Sequence, residues 1–284
     1  MLNPFSFFSR RSHRRWLYPL LSLVVATSVG VGTPQVSQAF PWEILFRQGV
    51  QVFQLANMST QQEIQLGSQI NQQLLSGEVQ LYQNREINRY VNDIGQRVAK
   101  SSDRPNLPYT FQVVNDKNIN AFATMGGYVY VHTGTLVASD NEAQLASVIA
   151  HEIAHISSRH AIKQMRQTAL TQGLSAVAGL DKNRAVQIGV EVAMRLPNSR
   201  RDELEADQKG LLMLGRAGYA QSAMPAFMQK LMNSSSVPSF LSDHPGTGDR
   251  IAMMKKAIGS TNGNVGGGLD SAAYKSKIRA LIGS

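Results

Sequence analysis

Two histidines four residues apart, with a glutamate after the first, constrain this chain more than any other feature: His151-Glu152-Ile153-Ala154-His155. On an α-helix, residues i and i+4 lie one above the other, so the two imidazoles face a common point. The surrounding residues fit a helix. Leu145, Val148, Ile149 and Ala150 precede the pattern, and Ser139-Asp140-Asn141-Glu142 reads as a capping box, with the Ser139 hydroxyl taking the amide of Glu142. The spacing predicts one long helix from this cap to about Met165, with the histidines in its middle.

Two imidazoles on one helix face can reach a zinc ion at roughly 2.0–2.1 Å. Glu152 stands beside the first ligand and can take a proton from an attacking water without binding the metal itself. A third ligand is then needed. A histidine ten residues after the first, with an intervening glycine, is one pattern; here those positions are Ala161 and Ser158, so it fails. His160 falls about 180° round a continuous helix from His151 and reads as a surface or packing residue. Glu203-Leu204-Glu205-Ala206-Asp207 offers the other solution. Glu203 and Asp207 share a helix face, giving a carboxylate ligand and a partner for the outer nitrogen of a ligand histidine. Glu205 points away, toward Lys209. Two histidines, a glutamate and an open position form a catalytic rather than a structural zinc arrangement.

The 284 residues contain no cysteine, which removes disulfides, thiolate ligands, a cysteine nucleophile and a lipidated cysteine from consideration. The 28 basic and 19 acidic residues give +9; Arg10, Arg11, Arg14 and Arg15 belong to the first 39 residues, which hold no acid, leaving +5. That excess could favour anionic lipid or acidic substrate, but a solvated basic surface that aids solubility explains it more simply. No basic–aromatic interleaving points to nucleic acid. Residues 1–39 read as a signal peptide: the arginines, an apolar run from Leu17 to about Val31, then Ser37-Gln38-Ala39 before Phe40. The expected location is the periplasm or another extracytoplasmic space, with membrane association if the leader is retained.

Beyond the leader, Phe46, Val50 and Phe53 suggest a helix from Trp42 to about Leu75, with a second start at Ser59. Another helix is expected from Ile87 to Lys100. Strands are expected at Tyr109–Val114 and, after Gly126-Gly127, at Tyr128–His132. Two helical pieces broken near Gly179–Asn183 lead to helices at about 200–216, 222–232 and 249–258. Gly259–Gly268 reads as a flexible link to a short last helix. The fold class is α+β, mostly helical, with a small sheet beside the histidine helix. The expected organisation is 1–39 leader, 40–258 main domain and 259–284 link and helix.

Four groups of residues together resemble the HtpX and BepA type of zinc metallopeptidase, related to the CAAX prenyl proteases. They are Asn120-Ala121-Phe122-Ala123 with Gly126-Gly127, His151-Glu152-x-x-His155, Glu203-x-x-Ala206-Asp207-x-x-Gly210, and His244-Pro245 with Arg250. The resemblance spans residues 59 to 258 and implies a zincin-like fold and endopeptidase activity on polypeptides, one zinc ion held by His151, His155 and Glu203, and Glu152 as base. It implies that Gly127, Tyr128, Val129 and Tyr130 pair with extended substrate, that His244 stabilises the oxyanion or blocks the metal, and that Arg250 orients the His244 loop. The expected task is degradation of misfolded envelope proteins; the alternative is a metal-containing chaperone or assembly factor with latent proteolysis.

Overall fold

The computed structural model describes residues 52–174, 179–195, 197–259 and 265–283. The leader and residues 40–51 lie outside them. The first described element is not helical: β1 (Val52–Phe53) pairs antiparallel with β5 (Leu180–Asp181), so Phe53 leaves the helix that its spacing suggested. Helix α1 (Thr60–Gln73) begins at Ser59, whose hydroxyl accepts from the Gln62 amide while the Gln62 side chain accepts from the Ser59 amide. One π turn, Leu74–Glu78, ends it. Helix α2 (Arg85–Ala99) is capped by Asn84 and turns Ile87, Val91, Ile94 and Val98 inward.

Three strands follow: β2 (Thr110–Val114), β3 (Ala121–Thr124) and β4 (Tyr128–His132). Their order in the sheet is β2-β4-β3, with β4 parallel to β2 and antiparallel to β3. This corrects the expected substrate strand. The backbone of Tyr128, Val129 and Tyr130 is paired on one side with Thr110–Gln112 and on the other with Phe122–Thr124, and Gly127 lies in the turn leading in. None of the four offers a free strand edge; the edge strands are β2, whose outer side is partly met by Gln80 and Tyr82, and β3.

After α3 (Thr133–Ala138), α4 (Glu142–Ser157) runs through the centre, buried from Ala143 to Ile156. An apolar helix without a polar face requires cover all round, which α2, α7 (Arg200–Arg216), α8 (Ala223–Met232) and the sheet provide. Its cap is Asn141, which accepts from Gln144, whereas Ser139 donates to the Thr135 carbonyl. Glu142 therefore does not reach back to a cap; it accepts from the hydroxyls of Tyr90 and Tyr219.

The long histidine helix is two helices. α4 stops at Ser157, and α5 (His160–Thr171) starts after Arg159, at φ 58° and ψ 33°. Among the described residues, Arg159 is the one non-glycine with positive φ. α6 (Lys182–Arg195) packs on α5 and α1. The stretch 233–248 holds a short helix, α9 (Ser239–Asp243), before α10 (Thr247–Ile258).

Residues 260–264 of the expected link lie outside the described residues, whereas residues 265–283 are docked on the domain. Gly267 exchanges backbone hydrogen bonds with Gly218 and Ala220, and the Gly268 carbonyl takes the Ala143 amide. Of the two short helices α11 (Ser271–Lys277) and α12 (Arg279–Ile282), the first places Tyr274 in the main core, its hydroxyl on the Leu136 carbonyl. Among the described residues no helix is long and apolar enough to cross a membrane.

Candidate active site

α4 brings His151, Glu152 and His155 to the cleft side of the core, and the first turn of α7 brings Glu203 opposite them. Ser199 starts α7, its hydroxyl oxygen 3.2 Å from the Asp202 amide it accepts from. The loop after α9 brings His244. All five side chains are buried.

One nitrogen or oxygen from each of His151, His155, Glu203 and His244 lies within 4.8 Å of the others. The two Nε2 atoms of His151 and His155 are 3.0 Å apart. Glu203 Oε2 is 3.3 Å from the first and Oε1 is 3.2 Å from the second. His244 Nδ1 is 3.2 Å from His151 Nε2 and 3.0 Å from Glu203 Oε1. A tetrahedron with ligand bonds of about 2.0–2.1 Å has edges of about 3.3 Å. Lone-pair donors crowded at those separations fit a cation between them, and imidazole with carboxylate suits zinc.

Behind the donors stands a second set of contacts. His151 Nδ1 is 3.1 Å from Asp207 Oδ1. Arg250 grips Asp207 through Nε at 2.6 Å and Nη2 at 2.7 Å, and its Nη1 donates to the His244 carbonyl at 2.8 Å and lies 2.6 Å from Glu203 Oε2. Arg250 is 1% exposed, so these interactions are made away from water. Burial alone would raise the Glu203 and Asp207 carboxyls. The charges of His244, His151 and His155 overturn this for Glu203, and hydrogen bonds from Arg250 and His151 for Asp207, so both are held below the usual carboxylate range. Glu152 differs. Burial pushes its carboxyl up, only partly offset by His244 and His151, and its Oε1 lacks a hydrogen-bond partner, with His244 Nε2 3.5 Å away.

Two features are not visible in the sequence pattern. His160 is buried, and its Nδ1 lies 2.8 Å from His155 Nδ1; it is neither at the surface nor on the far side of the motif. The turn at Arg159 swings it back, and no glycine or proline at 157–159 signals that turn. Glu63, fully buried on α1, receives both Arg104 and Arg159; its position in a Gln-rich helix gave no hint of this. The cleft is walled by Phe122–Thr124 of β3, by His155 and by Val192 and Arg195 of α6.

Residues 85–258 match the model of peptidase family M48. The chain belongs to peptidase family M48. Among M48 relatives, it is 34% identical over 214 residues to the beta-barrel assembly-enhancing protease of Escherichia coli (strain K12), covering 69% of this chain and 44% of that one. It is 35% identical over 182 residues to a putative beta-barrel assembly-enhancing protease of Vibrio cholerae, covering 58% and 38%. It is 28% identical over 174 residues to the mitochondrial metalloendopeptidase OMA1 of Schizosaccharomyces pombe, covering 59% and 52%. The chain thus spans about half or less of the length of these relatives. The M48 match contains all four converging residues.

Proposed function

We propose that the chain is a zinc-dependent endopeptidase acting on extended polypeptide segments of envelope proteins, with His151, His155 and Glu203 as metal ligands. The observation that carries this reading is the unpartnered, buried oxygen of Glu152 beside a four-donor cluster at the wall of a cleft. Zinc held there supplies a Lewis acid for the scissile carbonyl and makes water easier to deprotonate. Glu152, its carboxyl raised by burial, accepts the proton of the attacking water and returns it to the leaving amine.

Extended substrate is received on β3. His132 donates to the Asn120 carbonyl, so by antiparallel alternation the N–H and C=O of Ala123 face the outer edge. A peptide added there runs past Glu152 and His155 as one more strand. The basic leader supports an exported location, and misfolded envelope proteins are the substrate class that fits both.

His244 favours a second reading. Its Nδ1 takes the place of a fourth donor, and a fourth protein ligand closes a catalytic position. In that reading the chain is a latent protease serving as a chaperone or assembly factor. The test is casein cleavage by zinc-loaded wild type, Glu152→Gln and His244→Ala. Glu152→Gln should retain zinc and lose activity by about 10²–10⁴-fold; unchanged activity refutes the assigned base. If His244→Ala cleaves faster than wild type, His244 is a closing ligand; if neither cleaves, the chaperone reading stands and the peptidase reading falls.

A further inference from the structure

We propose that His160 is a positioning residue for the metal site, holding the ring of His155 so that its Nε2 faces the ion. The inference rests on His155 being a metal ligand and adds a residue to that site. When His155 presents the Nε2 lone pair inward, the proton of the neutral ring must sit on Nδ1. That N–H is buried and needs an acceptor. His160 Nδ1, at 2.8 Å, is placed to accept it. The His160 proton is then on Nε2, which faces Asp202 Oδ1 at 3.7 Å and Glu205 Oε2 at 3.5 Å.

Those two carboxylates are themselves fixed. Asp202 accepts from Lys163 and from the Ser199 hydroxyl at 2.7 Å, and Glu205 accepts from Ser158 at 3.0 Å and pairs with Lys209 at 3.1 Å. The two motif histidines therefore have different supports. His151 leans directly on Asp207, whereas His155 leans on a second imidazole that leans toward two carboxylates.

The backbone supplies an independent observation. Arg159 adopts a left-handed conformation that side-chain-bearing residues disfavour. It is retained by Glu63, which accepts from Arg159 Nε at 2.9 Å and meets Nη2 at 2.8 Å. This turn is what brings His160 beneath His155, where a continuous helix would carry it away.

The experiment is a zinc titration against a chromogenic chelator, using the full chain and the variants His160→Ala, His160→Gln and His151→Ala, with thermal midpoints of the metal-free proteins. Loss of an outer hydrogen-bond partner weakens metal binding by about 10–100-fold, and this is the expected result for His160→Ala. His160→Gln, whose amide oxygen can accept the same N–H, should recover most of the affinity. The cobalt-loaded visible spectrum should shift in His160→Ala and return toward wild type in His160→Gln. Wild-type affinity in His160→Ala, with His151→Ala defective, overturns this proposal and leaves the metal site standing. Equal losses in the alanine and glutamine variants, tracking equal drops in the metal-free midpoint, show packing alone and also overturn it. A wild type that binds no zinc overturns both readings.

Discussion

Arg250 joins three parts of the site through one side chain: Asp207 and Glu203 on α7, the His244 carbonyl in the loop, and its own helix α10. Its planar fork makes two parallel bonds to Asp207, a geometry that lysine cannot copy. Arg250→Leu would leave two buried carboxylates without their counter-charge. Breaking a buried pair from one side costs about 3–5 kcal/mol. The metal-free variant should therefore show a much lower urea midpoint, and Arg250→Lys should recover only part of it. A midpoint within experimental error of wild type would mean that the carboxylates are neutralised some other way. Glu203, Asp207 and their shared face were legible in the sequence because i and i+4 neighbours follow from helix geometry alone. His160 was not, because its place depends on a single left-handed residue held by Glu63, more than ninety positions earlier.

At the scale of elements, helices were easier to read than pairings. The bounds of α7 follow from its cap and pattern, whereas the place of β4 at the centre of the sheet depends on which neighbours close on it. Local signals also competed: Ser139 and Asn141 are both good caps, and Asn141 takes the role because Ser139 ends α3, where it bonds back to the Thr135 carbonyl. The contact of α1 with the turn before β4 was equally invisible. A Cβ on Gly67 would lie 2.2 Å from the Met125 carbonyl oxygen, a backbone atom that cannot swing aside. Gly67→Ala gains about 1 kcal/mol of helix propensity, yet overpacking typically costs about 1–3 kcal/mol, and so close an approach to backbone belongs at the upper end. The thermal midpoint should fall by several degrees, while Gly77→Ala, with open space at its Cβ, should change it little. A midpoint for Gly67→Ala at or above wild type would show that α1 can shift away without loss.

At the scale of the molecule, the described residues pack around the sheet and α4, and their pH response follows from what that packing buries. His132 ends β4, with Asp116 Oδ2 3.5 Å from its Nδ1. Burial lowers its pKa from the usual value, and Asp116, the Asn118 backbone and Asp243 only partly restore it. In the unfolded chain a histidine titrates near 6.5. Below that pH the unfolded state takes up a proton that the folded state refuses. Stability is then lost as pH falls from about 6.5 toward the lower folded pKa, and this contribution is constant above the window. His155 and His160 are also pushed down by burial and add to this slope, whereas His151, buried but pushed up to about 9 by Glu203 and Asp207, opposes it. Comparing wild type with His132→Gln isolates one share. Urea unfolding of the metal-free proteins between pH 7 and pH 5 should give a shallower decline for the variant. Parallel curves would mean that Asp116 and Asp243 offset the burial in full, and that acid sensitivity comes from the histidines at the metal site.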